Sequence, residues 1–326
     1  MIHNPTSDKQ RSYITIDAGG TYLKSSVLNE DGTVNALSSF IIESHSGDSK
    51  EKIIRGFEKS ISHGLSFINE KKAEFCGIGI SIPGPFDYQK GISMMTHKFQ
   101  SLYEMDLKSL IVEAAGINPD LPVLFVHDAN AVLYGEQWLG NAQVFENTAV
   151  VTLGTGLGFA HSQNKKVQCN DWGSPSISIF KIPYEQGILE DYISKRGFLK
   201  IYGEIAGKKS LDDMNVCDIA KLAEDGDIVG LATFREVGRI LSKALVGVLT
   251  EKKIECLLFA GQISRSFRFM ESEIKEGLKD VGSLKRISPV KSIDHAAFYG
   301  ILRNILNEKS IETTSMQASE NSTLRN

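Results

Sequence analysis

The stretch Ile16-Asp17-Ala18-Gly19-Gly20-Thr21-Tyr22-Leu23-Lys24 indicates the fold of this chain. An apolar run over residues 13–16 predicts a strand, and residues 25–28 predict a second strand that returns beside it. Paired glycines between strands let the backbone approach an anion closely, with amide groups directed at phosphate. Asp17 is well placed for Mg²⁺, directly or through water, because this ion prefers a carboxylate together with substrate phosphates. The alternative is an ordinary Gly-Gly hairpin, so the motif alone only favours phosphate binding.

The composition restricts the class of protein. A length of 326 residues predicts two domains, and an apolar fraction of 41% is enough for their cores. Lys and Arg number 36 against 40 Asp and Glu, for a net charge of −4. Because no basic stripe appears, nucleic acid and anionic membranes are not expected as partners. A signal peptide and a long apolar span are also absent from the sequence, which predicts a cytoplasmic protein.

Strand-like and helix-like segments alternate along the chain, and this predicts an α/β fold. Strands are predicted at residues 76–82, 123–126, 148–153 and 256–259, and helices at 53–68, 107–115, 129–139, 216–223, 228–250 and 294–306. Residues 1–10 and 309–326 are polar and are predicted to be flexible tails. A Rossmann dinucleotide domain is disfavoured, because Gly154-Thr155-Gly156-Leu157-Gly158 has the wrong glycine spacing.

That second glycine-rich segment repeats the pattern of the first. It also follows an apolar strand, and Thr155 supplies a hydroxyl that can donate a hydrogen bond to phosphate. Two such turns, far apart in the sequence, favour two half-domains that bind one polyphosphate between them. A third turn, at Gly261, either places adenine and ribose against the backbone or is a plain strand-to-helix turn.

Asp128 follows a predicted buried strand and stands at the start of a predicted helix. A carboxylate in that position can accept the proton of an attacking hydroxyl as a general base. Aspartate at a helix start is also a common N-cap. Taken alone, the cap is the better interpretation, whereas the phosphate-binding turns on either side in sequence favour the base.

Together, these motifs resemble the ROK family (repressors, open reading frames, kinases) of the actin-like ATPase superfamily. The resemblance runs from about Tyr13 to Leu306. The matching motifs are Asp-x-Gly-Gly-Thr at residues 17–21, the Pro-Gly sugar loop at 81–87, Asp-Ala-Asn-Ala at 128–131, Gly-Thr-Gly-x-Gly at 154–158 and the Leu-Ala-x-x-Gly-Asp helix break at 222–227.

The resemblance implies two α/β actin-like (ribonuclease H-like) domains flanking a cleft. The first would span residues 11–122 with a returning helix at 294–308, and the second would span 123–293. It also implies ATP-dependent phosphorylation of a hexose or amino-hexose hydroxyl, as in a glucokinase, with Mg²⁺ as cofactor. A sugar is the implied small-molecule partner, and a homodimer is left open.

The resemblance also assigns the site residues. Asp128 is the expected catalytic base. The residues expected to bind the sugar are Gly84, His127, Asp128, Asp171 and Glu190. The residues expected to bind ATP are Asp17, Gly19, Gly20, Thr21, Lys24, Gly154, Thr155, Gly156 and Gly261, and Asp17 is also the expected Mg²⁺ residue.

The sequence departs from the family in the zinc loop. Members usually carry Glu-x-Gly-His and then Cys-x-Cys-Gly-x-x-Gly-Cys, whereas the corresponding segments here are Asp171-Trp172-Gly173-Ser174 and residues 184–190. Because structural zinc needs four Cys or His ligands in one cluster, no structural zinc is expected. Asp171 can replace the upstream glutamate on a shorter arm, and Glu190 matches the glutamate after the loop. His127 replaces the usual Asn, which leaves the identity of the sugar open.

Two alternatives remain within the family. Its sugar-responsive regulators carry an extra N-terminal helix-turn-helix region. Here only about a dozen residues precede the first strand and the net charge of the chain is −4, and both observations disfavour that function. A catalytically weak sugar sensor is the other alternative, and the retained Asp17 and Asp128 argue against it. Neither the sugar nor the choice between ATP and polyphosphate as donor follows from the sequence.

Overall fold

The computed structural model describes residues 9–208 and 214–308, and its elements are numbered here in chain order. The strands are β1 (Arg11–Ala18), β2 (Tyr22–Asn29), β3 (Phe40–Glu43), β4 (Glu74–Ile82), β5 (Phe86–Asp87), β6 (Ile92–Ser93), β7 (Val123–His127), β8 (Thr148–Leu153), β9 (Leu157–Gln163), β10 (Lys166–Val167), β11 (Pro183–Tyr184), β12 (Gly187–Ile188), β13 (Cys256–Ala260) and β14 (Arg286–Pro289). The helices are α1 (Lys50–Glu70), α2 (Leu107–Ala115), α3 (Asp128–Trp138), α4 (Glu190–Ile193), α5 (Lys195–Ala206), α6 (Val216–Glu224), α7 (Ile228–Glu251), α8 (Glu271–Gly277) and α9 (296–308). The strands and helices predicted from the sequence are all present.

The first sheet has the strand order β3-β2-β1-β4-β7. Strands β1, β2 and β3 are antiparallel neighbours, whereas β4 and β7 run parallel to β1. The central strands are apolar on both faces, as parallel strands covered by helices usually are. The core of this sheet includes Ile14, Ile16 and Ile80, which are fully buried.

The second sheet repeats this arrangement with the strand order β10-β9-β8-β13-β14. Strands β8, β9 and β10 are antiparallel neighbours, and β13 and β14 run parallel to β8. In both sheets a glycine-rich turn joins the first two antiparallel strands. The two glycine-rich motifs of the sequence therefore occupy equivalent topological positions.

The chain forms two compact units, each built around one sheet. Among the described residues, the first unit contains 9–139, 169–174 and 297–308, and the second contains the remainder. The boundary expected after residue 122 differs from this division. Strand β7 pairs in parallel with β4, from Ile78 opposite Val123 to Ile82 opposite His127, so residues 123–139 belong to the first unit. Most of the residues expected to form flexible tails lie outside the described ranges.

The last helix, α9, returns to the first unit as expected. A Cβ on Gly300 would stand 1.6 Å from the carbonyl oxygen of Ala131, so α9 and α3 are in direct backbone contact. Ile301 and Ile305 are fully buried and cover Gly79 of β4. Truncating such a side chain to alanine typically costs about 2–5 kcal/mol.

In the second unit, α6 and α7 begin at side-chain caps. The side chain of Asp227 accepts a hydrogen bond of 2.7 Å from the Gly230 N–H and begins α7, as expected for an acidic residue after the helix break. This helix has 24 residues and packs against α5 and α8. No helix within the described ranges is both long and apolar enough to span a membrane.

Candidate functional site

The glycine turn between β1 and β2 is held from several directions. The Gly19 N–H donates a hydrogen bond of 2.9 Å to the carbonyl of Tyr22, and this bond closes the turn. The Ser46 hydroxyl donates to the carbonyl of Gly20, and the Ser44 N–H donates to that of Thr21. Gly20 is part-exposed and Thr21 is exposed. The turn is therefore rigid but accessible, which an anion-binding backbone loop requires.

Asp17 lies at the end of β1, directly before this turn. In the sheet, Asp17 is paired with Lys24 of β2 on one side and with Ser81 of β4 on the other. The Ser81 hydroxyl donates a hydrogen bond of 2.6 Å to Oδ1 of Asp17. Burial raises the pKa of Asp17, and the negative charge of Asp128 raises it further. The Ser81 hydrogen bond and the positive charge of Lys24 act in the opposite direction. The structure thus brings Asp17, Lys24 and Asp128 into one electrostatic group.

Asp128 is the first residue of α3, and His127 precedes it as the N-cap. Nδ1 of His127 lies 2.9 Å from Oδ1 of Asp128, and the Ala129 N–H lies 2.7 Å from Oδ1 and 3.2 Å from Nδ1. One Nδ1 atom cannot accept from Ala129 and donate to Asp128 at once. The Ala129 N–H donates to Oδ1 of Asp128, which is the shorter of its two contacts. Nδ1 of His127 is then not needed as an acceptor, and its N–H donates to the carboxylate.

The pKa of Asp128 follows from these contacts. Burial raises the pKa, but the charge and hydrogen bond of His127 and the hydrogen bond from Ala129 outweigh burial. The charge of Lys98 contributes in the same direction, and the net result is a lowered pKa. Asp128 is consequently ionised at neutral pH, as a proton acceptor must be. Within the described ranges its hydrogen bonds involve Oδ1, so Oδ2 is open to a substrate proton.

Gly84 lies close to His127 in the same unit. A Cβ on Gly84 would stand 3.4 Å from the Tyr88 hydroxyl, 3.6 Å from the Ser174 hydroxyl and 3.7 Å from Cδ2 of His127. The Tyr88 and His127 rings meet edge to face with centroids 5.9 Å apart. The Tyr88 hydroxyl donates 2.9 Å to the carbonyl of Ile82. These contacts leave a small polar recess around Gly84 that includes two of the predicted sugar residues.

Asp171 lies in segment 169–174, which packs against the first unit. The Tyr88 N–H donates 3.0 Å to the Trp172 carbonyl, and Asn130 Nδ2 donates 3.1 Å to the Gly173 carbonyl. Gly173 has φ +85° and approaches Tyr88 closely. Asp171 itself is exposed. The segment is therefore fixed beside the Gly84 recess, whereas no contact of the Asp171 carboxylate with that recess is present in the described residues.

In the second unit, Glu190 lies against the second glycine turn. Its Oε2 atom accepts a hydrogen bond of 2.8 Å from the Leu157 N–H. A Cβ on Gly156 would stand 2.7 Å from the same oxygen. The Lys195 N–H at the start of α5 donates 2.9 Å to the Gly154 carbonyl. Gly156 therefore has no room for a side chain unless Glu190 moves. The structure places this predicted sugar residue beside the predicted phosphate residues of its own unit.

Gly261 completes this group. It follows β13 with φ +86°, and a Cβ there would stand 2.2 Å from the Leu153 carbonyl. Because Leu153 directly precedes Gly154, the third turn lies beside the second. Ser264 stabilises it, since its hydroxyl donates 2.6 Å to the Gly261 carbonyl. The structure thus brings Gly154, Gly156 and Gly261 together, with Thr155 exposed at the tip of the turn.

The oxygen atoms of the first unit fit Mg²⁺, which usually binds one or two carboxylates plus substrate phosphates. The carboxylates of Asp17 and Asp128 repel each other when both are ionised, and a cation beside them would relieve that repulsion. Residues 183–188 form the β11–β12 hairpin, which overlaps the segment 184–190 that was aligned with the zinc loop. In the described ranges, no group of three or more His, Cys, Asp or Glu side chains is arranged to hold a metal ion of any kind. The expected absence of structural zinc stays a prediction.

Sequence reasoning missed three residues of this region. Ser81 lies within the quoted Pro-Gly motif, and its place opposite Asp17 in a neighbouring strand was the available signal. Lys98 has no motif around it, and its side chain lies against Gly20. Tyr88 follows the Pro-Gly loop and joins Gly84, His127 and segment 169–174.

The chain is similar to several known proteins. The sequence profile of the ROK family matches residues 13–175 and 183–304. A glucokinase of Thermotoga maritima is 29% identical over 145 residues, which are 44% of this chain and 42% of that protein. A xylose repressor of Bacillus spizizenii is 24% identical over 82% of this chain and 69% of its own length.

Solved structures establish the fold. The structure of a ROK family glucokinase from Streptomyces griseus, in complex with glucose and AMPPNP, superposes with a TM-score of 0.76 at 20% identity and covers 89% of this chain and 98% of its own. The expectation of two actin-like α/β domains is confirmed. Since the family profile spans nearly the whole described chain, this protein belongs to the ROK family.

Proposed function

We propose that this protein transfers the γ-phosphoryl group of ATP to a hydroxyl of a hexose or amino-hexose. The observation that carries the proposal is the state of Asp128. Its pKa is lowered, its Oδ1 atom is held by His127 and Ala129, and its Oδ2 atom is open. It shares a unit with Asp17 and the first glycine turn. A fixed, ionised carboxylate beside a phosphate-binding turn suits a base that orients an attacking hydroxyl.

In the proposed reaction the sugar hydroxyl donates its proton to Oδ2 of Asp128. The sugar oxygen forms a bond to the γ-phosphorus, while the bond from that phosphorus to the β–γ bridging oxygen breaks. The bridging oxygen keeps the electron pair, and ADP leaves. Because phosphoryl transfer passes through a loose transition state, positioning contributes more than strong basicity, and a carboxylate of lowered pKa is sufficient.

In each unit, the residues of the glycine turn are proposed to bind ATP phosphate. In the first unit these are Gly19, Gly20 and Thr21, with Lys24 beside Asp17. In the second unit they are Gly154, Thr155 and Gly156, with Gly261 next to them for the nucleoside. Asp17 would hold Mg²⁺ directly or through water. When bound, Mg²⁺ neutralises the charge that develops on the phosphate oxygens.

The sugar is proposed to bind at Gly84, His127, Asp128, Asp171 and Glu190. The recess around Gly84 supports Gly84 and His127, because it combines a bare backbone with polar groups of Tyr88, Ser174 and His127. The open Oδ2 atom supports Asp128. Asp171 is exposed and free to turn toward a ligand. Glu190 uses Oε2 to hold the Leu157 N–H, so Oε1 is the atom proposed to bind a sugar hydroxyl.

A sugar-responsive regulator is the second candidate, and the xylose repressor similarity favours it. Both candidates bind a sugar, so binding alone does not separate them. They differ in turnover. An enzyme releases ADP in proportion to the sugar phosphate formed, whereas a regulator binds the sugar without consuming ATP.

The test is an ADP-release assay with ATP over a panel of hexoses and amino-hexoses, and sugar phosphate is measured directly when polyphosphate replaces ATP as the donor. Wild-type protein should release ADP with at least one sugar. Asp128→Asn should lower kcat by about 10²–10⁴-fold, because Asn keeps the shape but cannot accept the proton. Asp120→Asn changes an exposed aspartate of the same unit and serves as the matched control. Sugar binding by Asp128→Asn, measured by thermal shift, should persist. Sugar binding without ADP release from the wild type would favour the regulator.

A further inference from the structure

Lys98 crosses the first glycine turn. A Cβ on Gly20 would stand 3.3 Å from Cδ and 3.4 Å from Cε of Lys98, so the lysine stem lies directly along the glycine backbone. Gly20 is flanked by Gly19 and Thr21, the residues already proposed to contact phosphate. A side chain at position 20 would push this stem away. The glycine is therefore needed for the lysine as well as for the approach of an anion.

The lysine is held in this place by its neighbours. Met95 and Phe99, on either side of it in sequence, are fully buried. The Phe99 N–H donates 2.7 Å to the Ser46 carbonyl, and the Ser46 hydroxyl donates to the Gly20 carbonyl. One serine thus ties the lysine segment to the glycine turn. These contacts hold the backbone next to Lys98 close to the glycine turn.

The ammonium group has no partner that explains its position. Within the described ranges it forms no hydrogen bond, and no carboxylate lies within the 4.0 Å that defines an ion pair. The positive charge of Lys98 nevertheless contributes to lowering the pKa of Asp128. Asp128 is already bonded to His127 and Ala129 through Oδ1. Lys98 is therefore a half-buried residue whose stem lies against the phosphate-binding turn and whose charge acts on the proton acceptor.

We propose that the Lys98 ammonium binds the transferring phosphoryl group. This inference rests on the proposed kinase function and adds a residue to it. As the β–γ bridging bond breaks and the bond to the sugar oxygen forms, negative charge is spread over the three peripheral oxygens of the moving group. Lys98 donates hydrogen bonds to these oxygens and keeps its own proton, since the hydroxyl proton goes to Asp128. An ammonium group in a partly buried site stabilises that charge effectively.

The first experiment compares two nucleotides by calorimetry in the presence of Mg²⁺. AMPPNP carries the γ-phosphate and ADP lacks it, so a residue that contacts this group changes their ratio of affinities. Lys98→Met should weaken the binding of AMPPNP about tenfold or more, as expected for the loss of one charge-assisted contact. The affinity for ADP should stay within about twofold of the wild-type value. Lys98→Arg keeps the charge and should recover part of the loss. Lys90→Met removes an exposed lysine paired with Asp87 and is the matched control.

Kinetics provides the second measurement. Lys98→Met should lower kcat by about 10²-fold, since the contact strengthens in the transition state, and it should leave the sugar KM nearly unchanged. Equal weakening of AMPPNP and ADP would overturn the inference, because the stem would then only shape the turn. Unchanged affinities for both nucleotides would also overturn it and leave the kinase proposal intact. Wild-type protein that binds neither nucleotide would overturn the kinase function and, with it, the role of Lys98.

Discussion

Nδ1 of His127 lies 2.9 Å from Oδ1 of Asp128, and the two residues are adjacent in sequence. The imidazole is largely buried, at 17% side-chain exposure, whereas the carboxylate is 44% exposed. The ring is packed against Tyr88 and so cannot turn freely. His127 therefore fixes the more accessible carboxylate and leaves its second oxygen open.

Two variants of His127 distinguish the roles of its two ring nitrogens. His127→Asn keeps a donor near the position of Nδ1, whereas His127→Gln moves the donor outward. We expect the Asn variant to keep kcat within about threefold and the Gln variant to lose about 10²-fold, because a misplaced catalytic group costs roughly that much. Steady-state kinetics at saturating sugar and ATP checks this. Equal losses in the two variants would show that the hydrogen bond to Asp128 has no role in turnover.

The outer edge of the same ring predicts an effect on sugar choice. Cδ2 of His127 would stand 3.7 Å from a Cβ on Gly84, so this edge borders the proposed sugar recess. His127→Asn removes that edge, and we expect it to change the ranking of sugars by kcat/KM while the KM for ATP moves little. A site with buried polar groups discriminates strongly, since a mismatched sugar leaves them unpaired. The panel of sugars used for the wild type measures this, and an unchanged ranking would remove His127 from the sugar site.

Ser81 predicts a change in Mg²⁺ dependence. Its hydroxyl donates 2.6 Å to Asp17, and it is fully buried. Ser81→Ala should raise the Mg²⁺ concentration for half-maximal activity by about tenfold, because groups that orient a metal-binding carboxylate affect affinity by that order. The value of kcat at saturating Mg²⁺ should change little. Ser60→Ala, a fully buried serine bonded to Gly56 within α1, is the control. A parallel shift in both variants would indicate loss of stability instead.

Glu255 predicts a pH-dependent contribution to stability. Its pKa is lowered by the hydrogen bond from Lys285 and by the N–H groups of Asn147 and Glu146. Because the folded-state pKa lies below the unfolded value of about 4.3, these contacts stabilise the fold above that pH and are lost as the pH falls through the folded pKa. Glu255→Gln should lower the free energy of unfolding by about 1–2 kcal/mol at neutral pH and by much less near pH 3. Denaturant titrations at both pH values test this.

The control for Glu255 is Glu276→Gln, which breaks an exposed pair with Lys279. Exposed pairs contribute about 0–1 kcal/mol, so this variant should change little at either pH. An equal loss for Glu255→Gln at neutral and acidic pH would contradict the ionic explanation.

Two helical glycines predict opposite effects on stability. Gly300→Ala places a methyl group 1.6 Å from the Ala131 carbonyl, so α9 must move, and the free energy of unfolding should fall by about 1–3 kcal/mol or more. Gly247→Ala in α7 meets nothing within 4 Å and should stabilise the protein by about 0.5–1 kcal/mol. Thermal unfolding of the two variants in parallel checks this, and stabilisation by Gly300→Ala would contradict the close helix contact.

The fold was predictable because its strands and helices have clear apolar patterns and end at glycines and caps. The boundary between the units was not, since the pattern of residues 123–127 marks a buried strand but not the sheet that it joins. The same limit applies to the site. Asp17 and Asp128 carry motifs, whereas Lys98 reaches Gly20 through a contact between distant parts of the sequence. Glu190 was assigned to the sugar, and its hydrogen bond to Leu157 depends on a turn whose shape no motif specifies.

The contact of Gly300 with Ala131 also has a consequence for synthesis on the ribosome. The first unit needs α9 to cover Gly79 and complete its core, and α9 is translated after every residue of the second unit. The face of the first sheet that α9 covers must therefore stay without this helix while the whole second unit is made. Exposed apolar strands of this kind bind chaperones and aggregate more readily than finished domains. The part of the protein that is translated first is thus the last to be completed.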